Sequence, residues 1–347
     1  MEKFNLTELN DTEIINLFFN KPVVSCEIKN TSHGEIDFRE AMIVQLVSGE
    51  KFVIKLADNS FTFPDRIRMW QKCAADYRRL GYYAPKIYAD KTGEFPVVRY
   101  KEHTCVVYAE EFAKFSYENV AARGLASSKY LNEILTMTAK IAQLHADYAE
   151  YLSGYCLFGL FAPDDEEDEV MGVAREWKQY AETLPVQFQS QVKRIWTLWT
   201  ENRNALQAIY DALPTSIFQA DLNSSNTLVD HEGKFAGVFD FNLCGKDVLL
   251  NYLFREINWD DNETELELLK SAVAVVSRSY HFSPAEKAAA IQIYRCVKPL
   301  WYTKLMRLKK AGENLTSVQA CLDETEYALT REIDFFPKMT ERENTDR

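Results

Sequence analysis

Gln219-Ala220-Asp221-Leu222-Asn223-Ser224-Ser225-Asn226 and, further on, Val238-Phe239-Asp240-Phe241-Asn242 form the stretch that decides how this chain is read. The apolar approach Ile217-Phe218 leads into a polar loop, and Thr227–Val229 is predicted as a short strand. Asp230-His231-Glu232-Gly233 has turn composition, and Phe235–Phe239 reads as the returning strand, ending on Asp240. A hairpin of this kind brings Asp240 back to the loop that carries Asp221 and Asn226. Three oxygen-bearing side chains then meet in one place.

Such a cluster suits phosphoryl transfer, which needs a hydroxyl oriented, a metal held and phosphate charge offset, with little covalent help from protein. Asp221 is the expected contact of the acceptor hydroxyl. Asn226 and Asp240 are the expected metal ligands, approaching from opposite sides. Few, hard oxygen ligands on a metal–phosphate complex suit Mg2+, which keeps several of its waters. Asp and Asn favour turns in any case, but a turn alone does not supply both spacings and the apolar strands around them.

Outward from the hairpin, the first hundred residues read mostly as strands: Glu27–Asn30, Ala41–Leu46, Lys51–Leu56, Pro96–Tyr100 and Thr104–Ala109. Between them Pro64–Leu80 fits a helix, with Pro64 in the first turn, Ile67, Trp70, Ala74 and Tyr77 at helical spacing, and Gly81 as the stop. After Phe112 long amphipathic helices take over. Leu131, Ile134, Leu135, Ile141, Leu144 and Tyr148 make one apolar stripe, and a second helix covers 187–212. A third opens at Ser283-Pro284-Ala285-Glu286 and runs towards Gly312, with a kink expected at Pro299. The expected layout is α+β and two-lobed: residues 1–110 as a β-rich nucleotide-binding lobe, residues 111–347 as a helical lobe with the catalytic hairpin and the acceptor site.

The hairpin resembles the aminoglycoside phosphotransferase and choline kinase superfamily, whose motifs read roughly H-G-D-x-x-x-x-N and I/V-D-F. Ala142-Gln143-Leu144-His145-Ala146, Leu213-Pro214 and Gly81-Tyr82-Tyr83-Ala84-Pro85 are similar to further family segments. The resemblance implies a protein-kinase-like fold, a Mg2+-dependent kinase using ATP or GTP, and a small hydroxyl-bearing acceptor. Lys55, ending the strand Phe52-Val53-Ile54-Lys55, resembles the family lysine that meets the nucleotide phosphates. The adenine is expected against the backbone of Ala109-Glu110-Glu111, and Ser32-His33-Gly34 is the only plausible tip of a phosphate-covering loop.

The pattern departs from the family at four points. Gln219 stands for the family histidine, with a changed loop orientation expected. Asn242 follows Asp240-Phe241 where protein kinases have glycine, and Asn tolerates a left-handed backbone. The nucleotide loop has no glycine run. The N-lobe helix offers no glutamate to Lys55, leaving Gln71 or Asp76 as its expected partner. A kinase-fold binding protein without turnover is the alternative reading, and the intact Asp221, Asn226 and Asp240 set argues against it. A protein kinase is disfavoured because only residues 242–246 separate Asp240-Phe241 from the apolar segment 248–254, too few for a peptide-docking activation segment.

Composition narrows the remaining classes. The chain of 347 residues has a net charge of −12, with 15 Lys/Arg against 16 Asp/Glu in residues 1–110 and 25 against 36 thereafter. An acidic chain without a basic stripe argues against nucleic-acid binding. The longest apolar runs fall short of a membrane span, and the N-terminus lacks a secretion signal. Seven cysteines without CxxC spacing and five scattered histidines indicate neither a disulfide framework nor zinc, so a reduced, cytoplasmic protein is expected. His145, Trp196, Trp199 and Trp301 lie on apolar helical stripes and are expected in the core. The acidity of the second part suggests an acceptor bearing an amine. Candidate contacts are the run Asp164-Asp165-Glu166-Glu167-Asp168-Glu169 and Trp259-Asp260-Asp261, where an aromatic beside two carboxylates could hold an ammonium group. Both stretches are equally open to reading as solvated loops.

Overall fold

Alternation along the first strands sets the architecture of the N-terminal lobe. The computed structural model describes residues 6–34, 36–118, 125–144 and 157–336. A short helix α1 (Asp11–Phe18) precedes β1 (Val23–Asn30), β2 (Phe38–Leu46) and β3 (Lys51–Asp58), followed by α2 (Pro64–Arg79), β4 (Ile87–Tyr88), β5 (Val97–Tyr100) and β6 (His103–Glu111). The strands form one antiparallel sheet in the order β1-β2-β3-β6-β4, with β5 also on β6. In β2 every second residue, Glu40, Met42, Val44 and Leu46, is buried, as a sheet with one covered face requires. Met42 and Val44 join Ile54, Leu56, Val107 and Ala109 in a small core closed by Ile14 and Ile15 of α1. Arg39, Ala41, Lys55, Tyr108 and Glu110 therefore lie on the opposite face, and Lys55 pairs in register with Ala41 and Tyr108.

Helix α2 matches its predicted span, with Pro64 in its first turn and Gly81 beyond its end at φ +89°. Its Ile67, Trp70, Ala74 and Tyr77 enter the main core, shared with the second lobe. The Tyr77 ring meets Phe241 edge-on at 5.4 Å, which ties α2 to the Asp240 turn.

The second lobe holds α3 (Leu131–Gln143), α4 (Glu169–Ala181), α5 (Val186–Tyr210), α6 (Leu249–Glu256), α7 (Asn262–Val276), α8 (Pro284–Val297), α9 (Tyr302–Ala311) and α10 (Leu315–Thr330). Two small sheets sit among them. One pairs β7 (Ser116–Tyr117) with β9 (Thr227–Val229) and β10 (Phe235–Val238), and the other pairs β8 (Ser216–Phe218) with β11 (Gly245–Asp247). The hairpin β9–β10 is the predicted one, turning at Gly233 with φ +74°. The kink expected at Pro299 is a full break: α8 stops at Val297 and α9 starts at Tyr302. Proline cannot donate the next helical hydrogen bond and disfavours helical backbone before it. Trp199 and Trp301 are buried as expected, and Trp196 packs on the same core. His145 and Tyr148 lie outside the described residues.

Gly237 joins the lobes. Tyr83 donates its N–H to Ala236 O at 2.9 Å and accepts from Val238 N at 3.0 Å. A Cβ on Gly237 would stand 2.0 Å from the Tyr83 carbonyl oxygen, so only glycine allows this approach. The Gly81–Pro85 segment thus stitches the β lobe to the catalytic hairpin. Among the described residues no helix is long and apolar enough to cross a membrane.

Candidate active site

The loop between β8 and β9 and the turn after β10 converge because Gln219 holds both. Its side chain is fully buried. Its Nε2 donates to the carbonyls of Asp221 (3.2 Å), Phe239 (2.9 Å) and Asp240 (3.0 Å), while its Oε1 accepts the Asp221 N–H at 2.6 Å. The Gln219 backbone N–H donates to the Tyr77 hydroxyl at 3.1 Å, which adds α2 to the same knot. An amide with a donor and an acceptor end can satisfy both loops at once. The residue expected to alter the loop's orientation is the one that fixes it.

Asp221 is half-buried, and each of its carboxylate oxygens is held. Asn223 Nδ2 donates to Oδ1 at 2.6 Å and Asn226 Nδ2 donates to Oδ2 at 2.9 Å. Burial raises its pKa, with the Asp240 charge adding to the rise and the two amide hydrogen bonds opposing it. Asn226 Nδ2 also donates to the Asp221 carbonyl at 2.8 Å. Its amide orientation is therefore fixed: the nitrogen faces Asp221 and Oδ1 turns the other way.

Asp240 carries the left-handed backbone of the turn, φ 59°. The sequence reading placed that tolerance at Asn242, which instead lies in a short 3-10 turn, 241–243. A left-handed aspartate is uncommon, and its occurrence at a site is strain held by the surrounding structure. Asp240 Oδ1 lies 2.8 Å from Lys55 Nζ across the cleft. Among the described hydrogen bonds none engages Asp240 Oδ2 or Asn226 Oδ1. One carboxylate oxygen and one amide oxygen fit the sparse oxygen set that Mg2+ takes when phosphates and waters supply the rest.

Lys55 has its acidic partner on the sheet and not on the helix. Its Nζ is 3.1 Å from Glu110 Oε2 of β6. Gln71 donates to the Ile87 carbonyl and Asp76 pairs with Arg79, so neither expected partner serves Lys55. Burial pushes the Lys55 ammonium down, but Asp240 and Glu110 more than offset this and its pKa rises well above the ordinary value. Burial raises Glu110, with Lys55 opposing. Lys55 is thus held charged where phosphates would lie.

Ala109 and Glu110 are sheet-paired on both edges, to Ile54 and Val53 of β3 and to Tyr88 and Ile87 of β4. Glu111 donates its N–H to the Lys86 carbonyl. Ala109 and Glu110 thus spend their backbone groups on the sheet, while no described hydrogen bond engages the Glu111 carbonyl. The chain leaves the sheet only after Glu111, at residues 112–115. Ser32, His33 and Gly34 form the β1–β2 loop, with Gly34 at φ +74°. Ser32 Oγ accepts from Arg39 N at 2.9 Å, closing the loop against β2.

Arg39 escaped the sequence reading. It projects from β2 on the cleft face, holds Asp37 through two hydrogen bonds, and feels the charge of Asp240. Two cations, Arg39 and Lys55, thus share the face where a glycine-rich loop is missing.

Glu256 also escaped it, while Glu169 was foreseen only as the end of the acidic run. Arg255 gathers them: its Nη2 is 2.7 Å from Glu256 Oε1 and its Nε 3.6 Å from Glu169 Oε2, with Asp247 Oδ2 at 4.0 Å from Nη1. Burial raises Glu256 to about 7, Asp221 and Glu169 add to the rise, and Arg255 opposes it. One guanidinium thus stands among three carboxylates, and the Asp221 charge bears on one of them, Glu256. Only the last member of the acidic run contributes. Asp165 accepts from the Phe161 and Ala162 N–H groups, Glu167 pairs with Arg175, and Asp168 is buried against Arg203. Asp261 caps α7 by accepting from Thr264 N at 2.8 Å, so it is a structural group. Trp259 and Asp260 line a separate bowl with Tyr302 and Met306 of α9.

A β lobe and a helical lobe meeting at a loop Asp, a loop Asn, a turn Asp and a cross-cleft lysine define a two-lobed, protein-kinase-like phosphotransferase. The chain belongs to the phosphotransferase enzyme family of the aminoglycoside phosphotransferase and choline kinase superfamily, whose family model matches residues 37–251. Among solved structures it is similar to a microcompartment-associated aminopropanol kinase, at 15% identity over 91% of this chain and 94% of that one, TM-score 0.52. It is also similar to an amicoumacin kinase in complex with AMP-PNP, Ca2+ and Ami, at 12% identity over 95% and 96%, TM-score 0.50. An aminoglycoside phosphotransferase from Alicyclobacillus acidocaldarius follows at 14% identity over 92% and 96%, TM-score 0.49. No curated protein matches the chain.

Proposed function

We propose that the protein transfers the γ-phosphoryl group of a Mg-nucleotide, ATP or GTP, to a hydroxyl of an amine-bearing small molecule. The observation that carries this reading is the Asp221 carboxylate, fixed by two amides, with its charge bearing on the buried Glu256. Its raised pKa brings Asp221 closer to working pH as a general base for the acceptor hydroxyl. Asn226 Oδ1 and Asp240 Oδ2 would hold Mg2+, which when bound neutralises phosphate charge. Lys55, kept cationic by Glu110 and Asp240, and Arg39 on the neighbouring strand would face the phosphates. Glu256 and Glu169 would hold the acceptor's ammonium group, placing its hydroxyl at Asp221. The similarity to kinases whose names include aminopropanol and amicoumacin agrees with small acceptors. The reading predicts that purified protein consumes ATP or GTP only when a hydroxylated amine is added, with matched neutral polyols and hydroxy acids giving at least tenfold lower kcat/KM. Equal turnover of neutral acceptors would overturn the amine assignment, and no turnover with any hydroxyl compound would overturn the transfer itself.

A further inference from the structure

Next to the carboxylate pair lies an open bowl of about 990 Å3, formed by the 258–260 loop and one face of α9. It stands at the upper end of the roughly 300–1,000 Å3 typical of sites for drug-sized ligands. Three large apolar side chains line it while remaining open to solvent: Trp259 at 38%, Tyr302 at 51% and Met306 at 57% exposure. Tyr302 and Met306, four residues apart, share one face of α9. The bowl adjoins the proposed acceptor site through the chain itself: α6 ends on Glu256, the rim residues Asn258 and Trp259 follow after Ile257, and Asn258 Nδ2 donates to the Arg255 carbonyl at 2.7 Å.

Two features set it apart from incidental surface. Three of its bases already have carboxylates: Lys304 with Glu265 at 3.1 Å, Arg307 with Glu324 at 2.5 Å and Lys309 with Glu176 at 2.5 Å. Lys310 is the fourth base, and the exposed indole, phenol ring and thioether make the wall apolar more than ionic. Its rim is also held from beneath by buried groups. Lys298, 1% exposed, donates to Ile257 O at 2.8 Å and Asn258 Oδ1 at 2.9 Å, and the buried Glu265 accepts the Trp259 N–H at 3.0 Å. Glu265 in turn pairs with Lys298 at 3.1 Å. A loop clamped at three points presents its indole without ordering cost on binding.

We propose that the bowl receives the body of the acceptor, which is accordingly a bulky amphiphile: a hydroxylated amine at Asp221, Glu256 and Glu169, with an apolar or aromatic portion packed on Trp259, Tyr302 and Met306. This rests on the kinase reading and adds the size and character of the substrate to it. A compact amino alcohol would leave the apolar wall wet.

The test uses 2-(alkylamino)ethanols from methyl to hexyl, and 2-(benzylamino)ethanol, measured for turnover and, with AMP-PNP and Mg2+ present, for binding by calorimetry. Full burial of each methylene would tighten binding roughly fourfold; the open bowl should give at least a tenfold total fall in KM and Kd from methyl to hexyl. Tyr302→Ala and Met306→Ala should each shrink the methyl-to-hexyl ratio by threefold or more. Length-dependent binding without turnover would uphold the bowl and sink the kinase reading. Turnover with no dependence on length would sink the bowl and leave the kinase reading standing. Absence of both binding and turnover would overturn the proposal, as would self-association by sedimentation that Tyr302→Ala and Met306→Ala abolish.

Discussion

Lys55 and Glu110 form an ion pair within one sheet, 3.1 Å apart, with the carboxylate almost wholly buried and the same ammonium 2.8 Å from Asp240 in the other lobe. Glu110 reaches Lys55 because Val53 pairs with Glu110 and Lys55 with Tyr108, which puts the two side chains diagonally adjacent on one face. The lysine's orientation is thus independent of where α2 sits. Glu110→Gln should raise the nucleotide KM and lower kcat, together by roughly tenfold in kcat/KM, since Lys55 loses one of its two carboxylate partners and keeps Asp240. Asp76→Asn and Gln71→Ala should stay within twofold of wild type. The double variant Lys55→Ala/Glu110→Gln should lose less than the product of the single losses. Multiplicative losses in steady-state kinetics would show that Glu110 acts on something other than Lys55.

Asp221→Asn removes the base and one of the two oxygens that accept from the Asn223 and Asn226 amides. Turnover should fall by about two to four orders of magnitude, while nucleotide affinity by calorimetry stays near wild type, because the metal is assigned to Asn226 and Asp240. The raised Asp221 pKa also has a sign. Its base form is lost as pH falls through a value raised above that of an ordinary aspartate, so the acid limb of kcat should be displaced upward from that value. A variant with near-normal kcat would remove Asp221 from the chemistry.

The catalytic hairpin was legible because it is local. Its strands are short and β-branched, Gly233 marks the turn, and the spacings from Asp221 to Asn226 and on to Asp240 need no tertiary knowledge. Lys55 was legible as the end of an apolar strand. Glu110 was not, because its role depends on the register between β3 and β6, set across more than fifty residues of chain. Glu169 and Glu256 meet only through Arg255, and nothing near either one in sequence signals the other. Asp261 failed as a ligand for a local reason: in Asp261-Asn262-Glu263-Thr264 it is a helix cap, the commoner use of an aspartate before an amphipathic stretch. Gln219 read as a weakened histidine, and its worth appears only once three carbonyls from two loops are seen around it.

The metal assignment separates from structure by one comparison. Asp240→Ala should weaken nucleotide binding in Mg2+ by at least tenfold more than in chelator, because the variant loses an oxygen ligand only when the metal is there to need it. Asp240 also pairs with Lys55, so in chelator the variant should bind nucleotide no more weakly than wild type, its lysine left with Glu110 as the single carboxylate partner. Equal losses with and without Mg2+ in calorimetry would make Asp240 a structural residue of the turn.

Glu256 supplies a pH dependence separate from that of Asp221. Burial lifts it to about 7, so it is largely protonated at pH 6 and largely ionised at pH 8, whereas an alkyl ammonium acceptor stays cationic throughout. The attraction between them is therefore lost as pH falls through about 7 and regained above it. For such an acceptor KM should drop by up to about tenfold from pH 6 to pH 8, the limit set by the roughly tenfold change in ionised fraction. The Asp221 limb belongs to kcat and the Glu256 limb to acceptor KM, so the two are read from different parameters of one data set. Glu256→Gln should flatten the KM profile at its low-pH value, and a neutral acceptor of the same size should give a flat profile with the wild-type enzyme. Raising salt should weaken the ammonium acceptor more at pH 8 than at pH 6, because only the ionised site has a charge to screen. A KM for the ammonium acceptor that is constant across this range in wild type would place its amine away from Glu256.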